Sequence, residues 1–318
     1  MKVVQAKIRF VDYYTLLNLD SLMVGSAAPF DIFIKKSNNY IIIIEAGTIL
    51  SKSIYAKLKK QEKLYIFEKD KEKLTLTCDS LKFYINYNKN NPEKRIEFIY
   101  KLNNELFNNY LAKKDNKFDL KCVTLIVKSI LFLIKYDENF LINTMPHFTH
   151  EHTLPNHSFH VATYAINLGN LLNLNSKKLL QLGTAALLHD VGLKKIDNSL
   201  ITKSTKLNIA ELEEVHKHTQ YSVKIIKQNN IYDPYIIDAI MHHHEQYDAK
   251  GYPDQLDKKD ISVFASILSI CDVFDALTSS RPYREQYTSF DAIKLMLKDS
   301  SMSGKFNRKY LKLLLKSL

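Results

Sequence analysis

The 318-residue chain contains no tryptophan, only three cysteines, and seven residues each of glycine and proline. So little glycine and proline favours helices over a turn-rich all-β fold. The cysteines Cys78, Cys122 and Cys271 form no C-x-x-C pair, which argues against a thiolate metal site. No signal peptide is visible, and the most apolar run, residues 122–132, is interrupted by Lys128 and too short to span a bilayer. We therefore expect a cytoplasmic protein without a membrane span.

The chain has a formal net charge of +11, from 45 Lys and Arg against 34 Asp and Glu. The excess is spread along the chain, and no block of five like charges occurs. This distribution favours a solvated lysine-rich surface over a nucleic-acid interface, so we expect no DNA partner. A modest positive field that attracts an anionic phosphate substrate stays open.

Residues 1–110 are marked by short runs of β-branched and aromatic residues, a pattern typical of strands. They contain no obvious catalytic cluster. We predict a small α/β domain with a regulatory or sensory role. The predicted elements are strands at 30–35, 40–45, 63–67 and 73–76, a hairpin turn at 37–39 and a helix at 51–61.

Helical periodicity dominates the remainder of the chain. We predict a helical linker over 111–150 and an all-helical domain over 151–318, so the fold class is mainly α with a small N-terminal α/β domain. Helix starts are indicated by Ser176, by Asn208 with Glu211 three residues later, and by Asp233-Pro234. The predicted helices are 95–111, 120–135, 157–172, 176–190, 208–229, 233–245 and 263–279.

Side chains that can ligate metals recur on the apolar sides of five of these helices. The doublet His189-Asp190 ends an apolar helix, where a desolvated carboxylate beside an imidazole is costly unless a cation stabilises it. A lone doublet is more often a helix-end hydrogen bond. Five imidazoles and two carboxylates suit a pair of first-row divalent ions, such as iron or manganese, better than one structural zinc. The candidate ligands are His157, His189, Asp190, His218, His243, His244 and Asp272.

The chain carries an ordered set of motifs, which are His189-Asp190, His243-His244-Glu245, Gly251-Tyr252-Pro253, Asp272-Val273-Phe274-Asp275 and Arg281-Pro282-Tyr283-Arg284. This set resembles the HD-GYP subgroup of the HD-domain phosphohydrolases. The resemblance covers roughly residues 156–287 and implies an all-helical HD-domain bundle. It also implies metal-dependent hydrolysis of the bacterial second messenger cyclic di-GMP to linear pGpG and/or GMP.

The resemblance implies a role for each matched residue. One ion would be held by His157, His189 and Asp272. The other would be held by His218, His243 and His244. Asp190 would bridge the two ions and orient the nucleophilic water. Substrate would contact Tyr252, Arg281 and Arg284, while Asp275 would orient a ligand histidine.

The chain departs from the family pattern directly after the His-Asp doublet. The family usually has HD-x-G-K, and Leu193 replaces the lysine that is thought to contact the scissile phosphate. Lys194 and Lys195 follow, but one step along a helix or tight turn rotates a side chain well away. Losing this cation would cost roughly 2–4 kcal/mol of transition-state stabilisation. At position 153 the chain has threonine where some members have glutamate, which favours two ions over three.

Two functions therefore stay open. The chain is either a cyclic di-GMP phosphodiesterase or a catalytically weak cyclic di-GMP-binding signalling module in which Leu193 cripples catalysis. A third reading, a different HD-type reaction, is disfavoured by the Gly251-Tyr252-Pro253 and Arg281–Arg284 segments. Protein partners that bind the N-terminal domain, and a homodimer, are further hypotheses.

Overall fold

The structure, a computed structural model, describes residues 13–19, 22, 24, 27–37, 39–70, 92–136, 140–141, 153–203, 205–280 and 285–318. The chain divides into two compact units, residues 1–95 and 96–318. The described part of the first unit contains a small sheet, and the described part of the second is helical. The predicted fold class, mainly α with a small N-terminal α/β domain, is confirmed.

The first unit contains a four-stranded antiparallel sheet with the strand order β1-β4-β2-β3. The strands are β1 (Tyr14–Leu16), β2 (Ile32–Lys36), β3 (Asn39–Ile44) and β4 (Tyr65–Phe67), and helix α1 (Lys52–Lys59) lies between β3 and β4 in the chain. The predicted hairpin forms between β2 and β3, and Ser37 in its turn has a φ of 52°. The hydrophobic core of this unit includes the fully buried residues Phe30, Ile32, Leu50 and Ile66. The strand predicted at 73–76 lies outside the described residues.

The described helices of the second unit are joined by connections of unequal length, from the single residue between His216 and His218 to the segment between His242 and Val263. They are α2 (Pro92–Ala112), which begins just before the unit boundary, α3 (Leu120–Tyr136), α4 (Leu154–Leu171), α5 (Ser176–Leu188), α6 (Asn198–Ile201), α7 (Ile209–His216), α8 (His218–Gln228), α9 (Pro234–His242), α10 (Val263–Thr278), α11 (Ser289–Lys298) and α12 (Arg308–Lys316). A 3₁₀ helix, Val191–Lys195, follows α5. None of the described helices is long and apolar enough to cross a membrane.

Helix α10 forms the centre of the second unit. Every residue in 264–278 is buried or half-buried, as expected for a helix that is apolar on nearly all sides. It packs against α4, α9 and α11, while α4 packs against α5 and the 3₁₀ helix against α8. These contacts bring the ends of α5 and α9 and the start of α8 close to the middle of α10.

Several helix limits follow the sequence signals and others do not. Asn208 and Glu211 form the predicted capping box, and Asp233 caps α9 ahead of its first-turn proline. Helix α5 is capped by Asn175, whose side chain accepts from a backbone N–H, and not by Ser176 as predicted.

Two predicted helices end early, and the two ends share one feature. The helix predicted over 208–229 is broken into α7 and α8, and the helix predicted to reach 245 ends at His242. At both places an imidazole donates to the carbonyl three residues earlier. His218 Nδ1 bonds Val215 O at 2.7 Å, and His243 Nδ1 bonds Ile240 O at 2.8 Å.

The unit boundary precedes the predicted boundary at residue 110. Most of α2 belongs to the second unit, because its polar side chains bond the backbone of that unit. Asn103 Nδ2 donates to Pro155 O at 2.7 Å, and Tyr110 Oη donates to Val191 O at 2.9 Å. The predicted roles of a sensory domain and of a linker stay predictions.

Candidate metal centre

The structure brings together all seven predicted ligands from five segments of the second unit. They form two groups, and within each group the potential ligand atoms lie within 4.8 Å of one another. The first group consists of His157, His189 and Asp272. The second group consists of Asp190, His218, His243 and His244. Helix α10 and the ends of α5 and α9 therefore meet where the sequence pattern predicts.

Three of the five candidate-ligand histidines are oriented by a hydrogen bond to a nearby backbone carbonyl. The Nδ1–H groups of His189, His218 and His243 each donate to the carbonyl three residues earlier, at 2.7–2.8 Å. A donating Nδ1 leaves Nε2 with a free lone pair in the neutral ring, which is the form that ligates metals. Each of these imidazoles thus presents Nε2 to the interior.

Asp275 orients the ring of His157 in the same way, by a hydrogen bond between its carboxylate and Nδ1. Asp275 Oδ2 lies 2.7 Å from His157 Nδ1, and Oδ1 lies 3.0 Å from Nδ1 of the buried His160. Ser279 Oγ adds a bond of 3.3 Å to Oδ1. Burial raises the pKa of Asp275, but the hydrogen bonds from both imidazoles outweigh it and hold the pKa well below its usual range. The carboxylate therefore stays charged and is hydrogen-bonded to the ring of His157.

The inner atoms of the first group are close enough to share one cation. His157 Nε2 lies 3.2 Å from His189 Nε2 and 3.2 Å from Asp272 Oδ1. Both imidazoles already donate through Nδ1, so the two Nε2 atoms repel unless a proton or a metal ion lies between them. Burial lowers the pKa of His189 to about 4, so its ring is neutral.

Asp190 faces both groups with different oxygens. Its Oδ1 lies 3.3 Å from His218 Nε2 and 3.6 Å from His243 Nε2, on the side of the second group. Its Oδ2 lies 3.7 Å from His157 Nε2 and 3.6 Å from His189 Nε2, on the side of the first. Burial raises the pKa of Asp190, but the adjacent histidines lower it further, so the carboxylate is charged. This is the position that a bridging ligand needs.

Three buried atoms of the second group support a fit to metal ions. Asp190 Oδ1, His218 Nε2 and His243 Nε2 are inaccessible to solvent and lack hydrogen-bond partners. An unpaired buried polar atom costs about 1–3 kcal/mol, which a coordinated cation removes. Mixed imidazole and carboxylate donors suit first-row divalent ions. The donor set therefore fits a metal pair.

The loop after α9 folds back onto the ligands that it follows. A Cβ at Gly251 would lie 2.4 Å from Glu245 Cα, so only glycine permits this approach. The buried Glu245 carboxylate accepts from the backbone of Asp254 at 2.7 Å and of Leu256 at 3.0 Å. The loop thereby places the ring of Tyr252 against the second group, 4.7 Å from the ring of His244.

A cavity of about 360 Å³ opens beside the first group. His157, Asp190 and Asp272 line it on the metal side. Its remaining wall is largely aliphatic and consists of Leu111, Leu154, Leu193 and Ile201, with Lys194 and Asn198. Leu193, at the position of the family lysine, therefore faces the cavity as an apolar residue.

Neither lysine next to Leu193 replaces the missing cation in this structure. Lys194 Nζ donates to the backbone carbonyls of Tyr110 and Lys113 and lies 4.3 Å from the centroid of the Tyr110 ring. Lys195 lines a separate cleft with Tyr221 and others. The Lys194 ammonium is thus bound to backbone carbonyls, and Lys195 lines a different cleft.

The predicted substrate contacts Arg281 and Arg284 lie outside the described residues. The sequence analysis missed two residues that the structure adds to the centre. His160 lies three residues after His157, a spacing that places both on one helix face, and this signal was available. His216 stacks on Tyr252, and no local sequence pattern indicates that contact.

Comparison with known proteins agrees with this geometry. The chain resembles the cyclic di-GMP phosphodiesterase PA4108 of Pseudomonas aeruginosa, with 34% identity over 140 residues, which are 44% of this chain and 34% of that protein. It resembles the 3'3'-cGAMP-specific phosphodiesterase 2 of Vibrio cholerae, with 35% identity over 133 residues, 42% of this chain and 26% of that protein. The chain therefore spans about a third or less of the length of these two relatives.

The fold has a counterpart among solved structures. The HDG"Y"P protein Bd1817 of Bdellovibrio bacteriovorus superposes with a TM-score of 0.61 over 96% of this chain and 99% of that chain, at 18% identity. The sequence model of the HD domain matches residues 135–307, which is more than half of the chain. The chain therefore belongs to the HD domain family, and its motifs resemble those of the HD-GYP proteins.

Proposed function

We propose that the chain is a metal-dependent phosphodiesterase that hydrolyses cyclic di-GMP to linear pGpG and/or GMP in bacterial second-messenger signalling. The observation that carries the proposal is the position of Asp190, whose two oxygens face two separate ligand groups. The names of the relatives support the substrate class. We infer two divalent ions, with iron or manganese as the native metals.

Each part of the site has a separate proposed role in the hydrolysis. Bound ions would supply Lewis acidity for attack on a phosphodiester. Asp190 would orient the attacking water, and Asp275 would keep the Nε2 lone pair of His157 directed into the site. We infer that the aliphatic wall beside Leu193 excludes water and accommodates a nucleobase, because such walls hold flat apolar groups. Arg281 and Arg284 are proposed to grip the substrate phosphates through their guanidinium forks.

A second candidate function is a cyclic di-GMP receptor with little turnover. It is favoured by Leu193 in the cavity wall and by Lys194, whose ammonium is bound to backbone carbonyls elsewhere. Without a cation at the developing phosphoryl charge, catalysis loses stabilisation but binding need not. The two candidates share the metal ligands and differ in rate.

One experiment separates the two candidates. The purified chain, loaded with iron or manganese, is incubated with cyclic di-GMP and with 3'3'-cGAMP, and products are separated by chromatography. Linear product that disappears in Asp190→Asn, but persists in the matched surface control Asp260→Asn, supports the enzyme. Tight binding without product supports the receptor. A metal-loaded protein that neither binds nor cleaves either nucleotide contradicts both.

The remaining inferences concern context. A regulatory role for the first unit, a protein partner that binds it, a homodimer and a cytoplasmic location are hypotheses from the sequence. They are independent of the metal centre and are tested separately, first by the mass of the particle in solution.

A further inference from the structure

The ring of Tyr252 lies between two imidazoles. The His216 ring is 3.6 Å from it with an interplanar angle of 9°, and the His244 ring is 4.7 Å away at 25°. Two nearly parallel rings this close to a third cannot lie side by side on one face, because they would overlap. The imidazoles therefore cover opposite faces of Tyr252.

This arrangement changes the role available to Tyr252. With both faces covered, the ring offers no surface on which a nucleobase can stack in this structure. Only its edge and hydroxyl can approach a substrate. The ring is instead part of a three-ring stack that runs from His216, which belongs to neither ligand group, to the candidate ligand His244.

His244 needs such support more than the other candidate ligands do. Its side chain is 25% exposed, whereas the side chains of the other four histidines are at most 5% exposed. The other four each direct Nδ1 to a carbonyl or to Asp275 at 2.7–2.8 Å, and among the described residues His244 has no comparable hydrogen bond. Its orientation therefore depends on ring contacts.

Backbone contacts hold the stack in place. Tyr252 N donates to His244 O at 3.3 Å, so the loop returns directly over the residue that it supports. His216 ends α7 immediately before the break at Lys217, and that break aims His218 at the second group. The short segment 216–218 thus supplies both a candidate ligand, His218, and the outer ring of the stack, His216.

We propose that His216 is a positioning residue of the metal centre, which acts on His244 through Tyr252. The proposal rests on the proposed function, because it assumes that the second group binds an ion. Residues that orient ligands without touching the metal typically change metal affinity by about 10- to 100-fold. Loss of the outer ring should therefore weaken one of the two ions selectively.

The test is a titration of the metal-free full chain with Mn²⁺, in which free ion is followed by electron paramagnetic resonance. We expect His216→Ala to weaken one binding step by about 10- to 100-fold and to leave the other within about threefold. His216→Phe, which keeps a flat ring, should restore the wild-type titration. Ile209→Ala, at the 80% exposed first position of the same helix, is the matched control and should titrate as the wild type.

Other outcomes overturn the proposal. Wild-type affinity at both steps in His216→Ala contradicts it, as does equal weakening of both steps in His216→Ala and His216→Phe with a lowered melting temperature. If the alanine variant does not fold, His216→Gln, which keeps bulk without a ring, replaces it with the same expected result. Wild-type protein that binds no Mn²⁺ contradicts the metal centre itself, which distinguishes failure of the proposed function from failure of the stack.

Discussion

The two ligand groups use similar residues but are supported by different means. The first is deeply buried, and Asp275, a buried and charged carboxylate, orients His157 within it. The second relies on backbone carbonyls and stacked rings, and it includes the most exposed candidate ligand, His244. The comparison teaches that identical imidazoles can be oriented either by charge or by neutral contacts.

This difference predicts unequal affinities. The first group has two carboxylates close by, Asp272 and Asp275, in addition to the shared Asp190. The second has Asp190 and, at 3.8 Å from His244 Nδ1, one oxygen of Asp272, and no further carboxylate pairs with its imidazoles among the described residues. A buried negative charge attracts a cation strongly where the dielectric is low. We therefore expect the ion in the first group to bind more tightly and to be the last removed by a chelator.

The largest effect should come from the residue that both groups share. Asp190→Ala removes an oxygen from each side, so metal content should fall from two ions per chain towards none. Turnover should fall by about a thousandfold or more, as for other residues that act as one unit with their neighbours. Elemental analysis and the product assay measure this. Retention of two ions would show that Asp190 does not bridge.

A smaller and selective effect is expected at Asp275. Asp275→Ala leaves His157 without its oriented Nδ1 bond, so affinity at the first group should fall by about 10- to 100-fold. The second group should be unaffected within about threefold. The Mn²⁺ titration resolves the two steps, and Asp260→Ala serves as the surface control. Equal weakening of both steps would contradict the separate support of the two groups.

The cavity beside the first group offers a gain-of-function test. Leu193→Lys returns a cation to the apolar wall, and we expect turnover of cyclic di-GMP to rise by about tenfold or more, since such a charge is worth roughly 2–4 kcal/mol when well placed. Leu193→Met keeps the volume without the charge and should leave the rate unchanged. An unchanged or lower rate in Leu193→Lys with full metal content would refute the role assigned to this position.

The smallest effect concerns the loop that covers the second group. His242 bonds Asp238 at 2.8 Å and Asp254 at 2.9 Å, and the bond to Asp238 raises the pKa of His242 to about 9. A raised pKa stabilises the fold fully below the unfolded value of about 6.5, and this stability is lost as pH rises through about 9. We expect no more than about 1 kcal/mol, because Asp254 is mostly exposed and solvent screens the pair.

The measurement compares melting temperatures of the wild type and His242→Gln across pH. The wild type should be more stable at pH 6, and the difference should shrink towards pH 10. A difference that stays constant over this range would exclude the ion pairs as its cause.

The convergence of the candidate ligands could be predicted because ligand-type side chains occur there on apolar helix faces. An ionisable side chain on an otherwise apolar helix face is costly, so His157 and Asp272 stand out from the residues around them. His160 shares that signal with His157. By contrast, His216 lies on a helix without a fully buried residue, and it matters only because a loop from 36 residues later stacks on it. Contacts between segments that are far apart in the chain cannot be recognised from the local sequence pattern.

Some predicted helix ends were wrong for a related reason. The spacing of apolar residues continues through Lys217, so periodicity alone predicts one helix over 208–229. The break at Lys217 coincides with the bond from the His218 imidazole to the Val215 carbonyl. The direction of that imidazole belongs to the folded centre, which the spacing of apolar residues does not register. The division after residue 95 has no local signal either, because Asn103 and Tyr110 identify their unit only through partners far along the chain.

The bond from an imidazole to the carbonyl three residues earlier has a consequence for how this centre tolerates change. At His189, His218 and His243 the direction of the ring is encoded within a four-residue segment. A core substitution that shifts one of these helices would move the imidazole with the helix but would not change the direction of its Nε2. Substitutions in the surrounding helices should therefore displace the candidate ligands only slightly. The same short segments should also keep the direction of their imidazoles when they are grafted onto another helical scaffold.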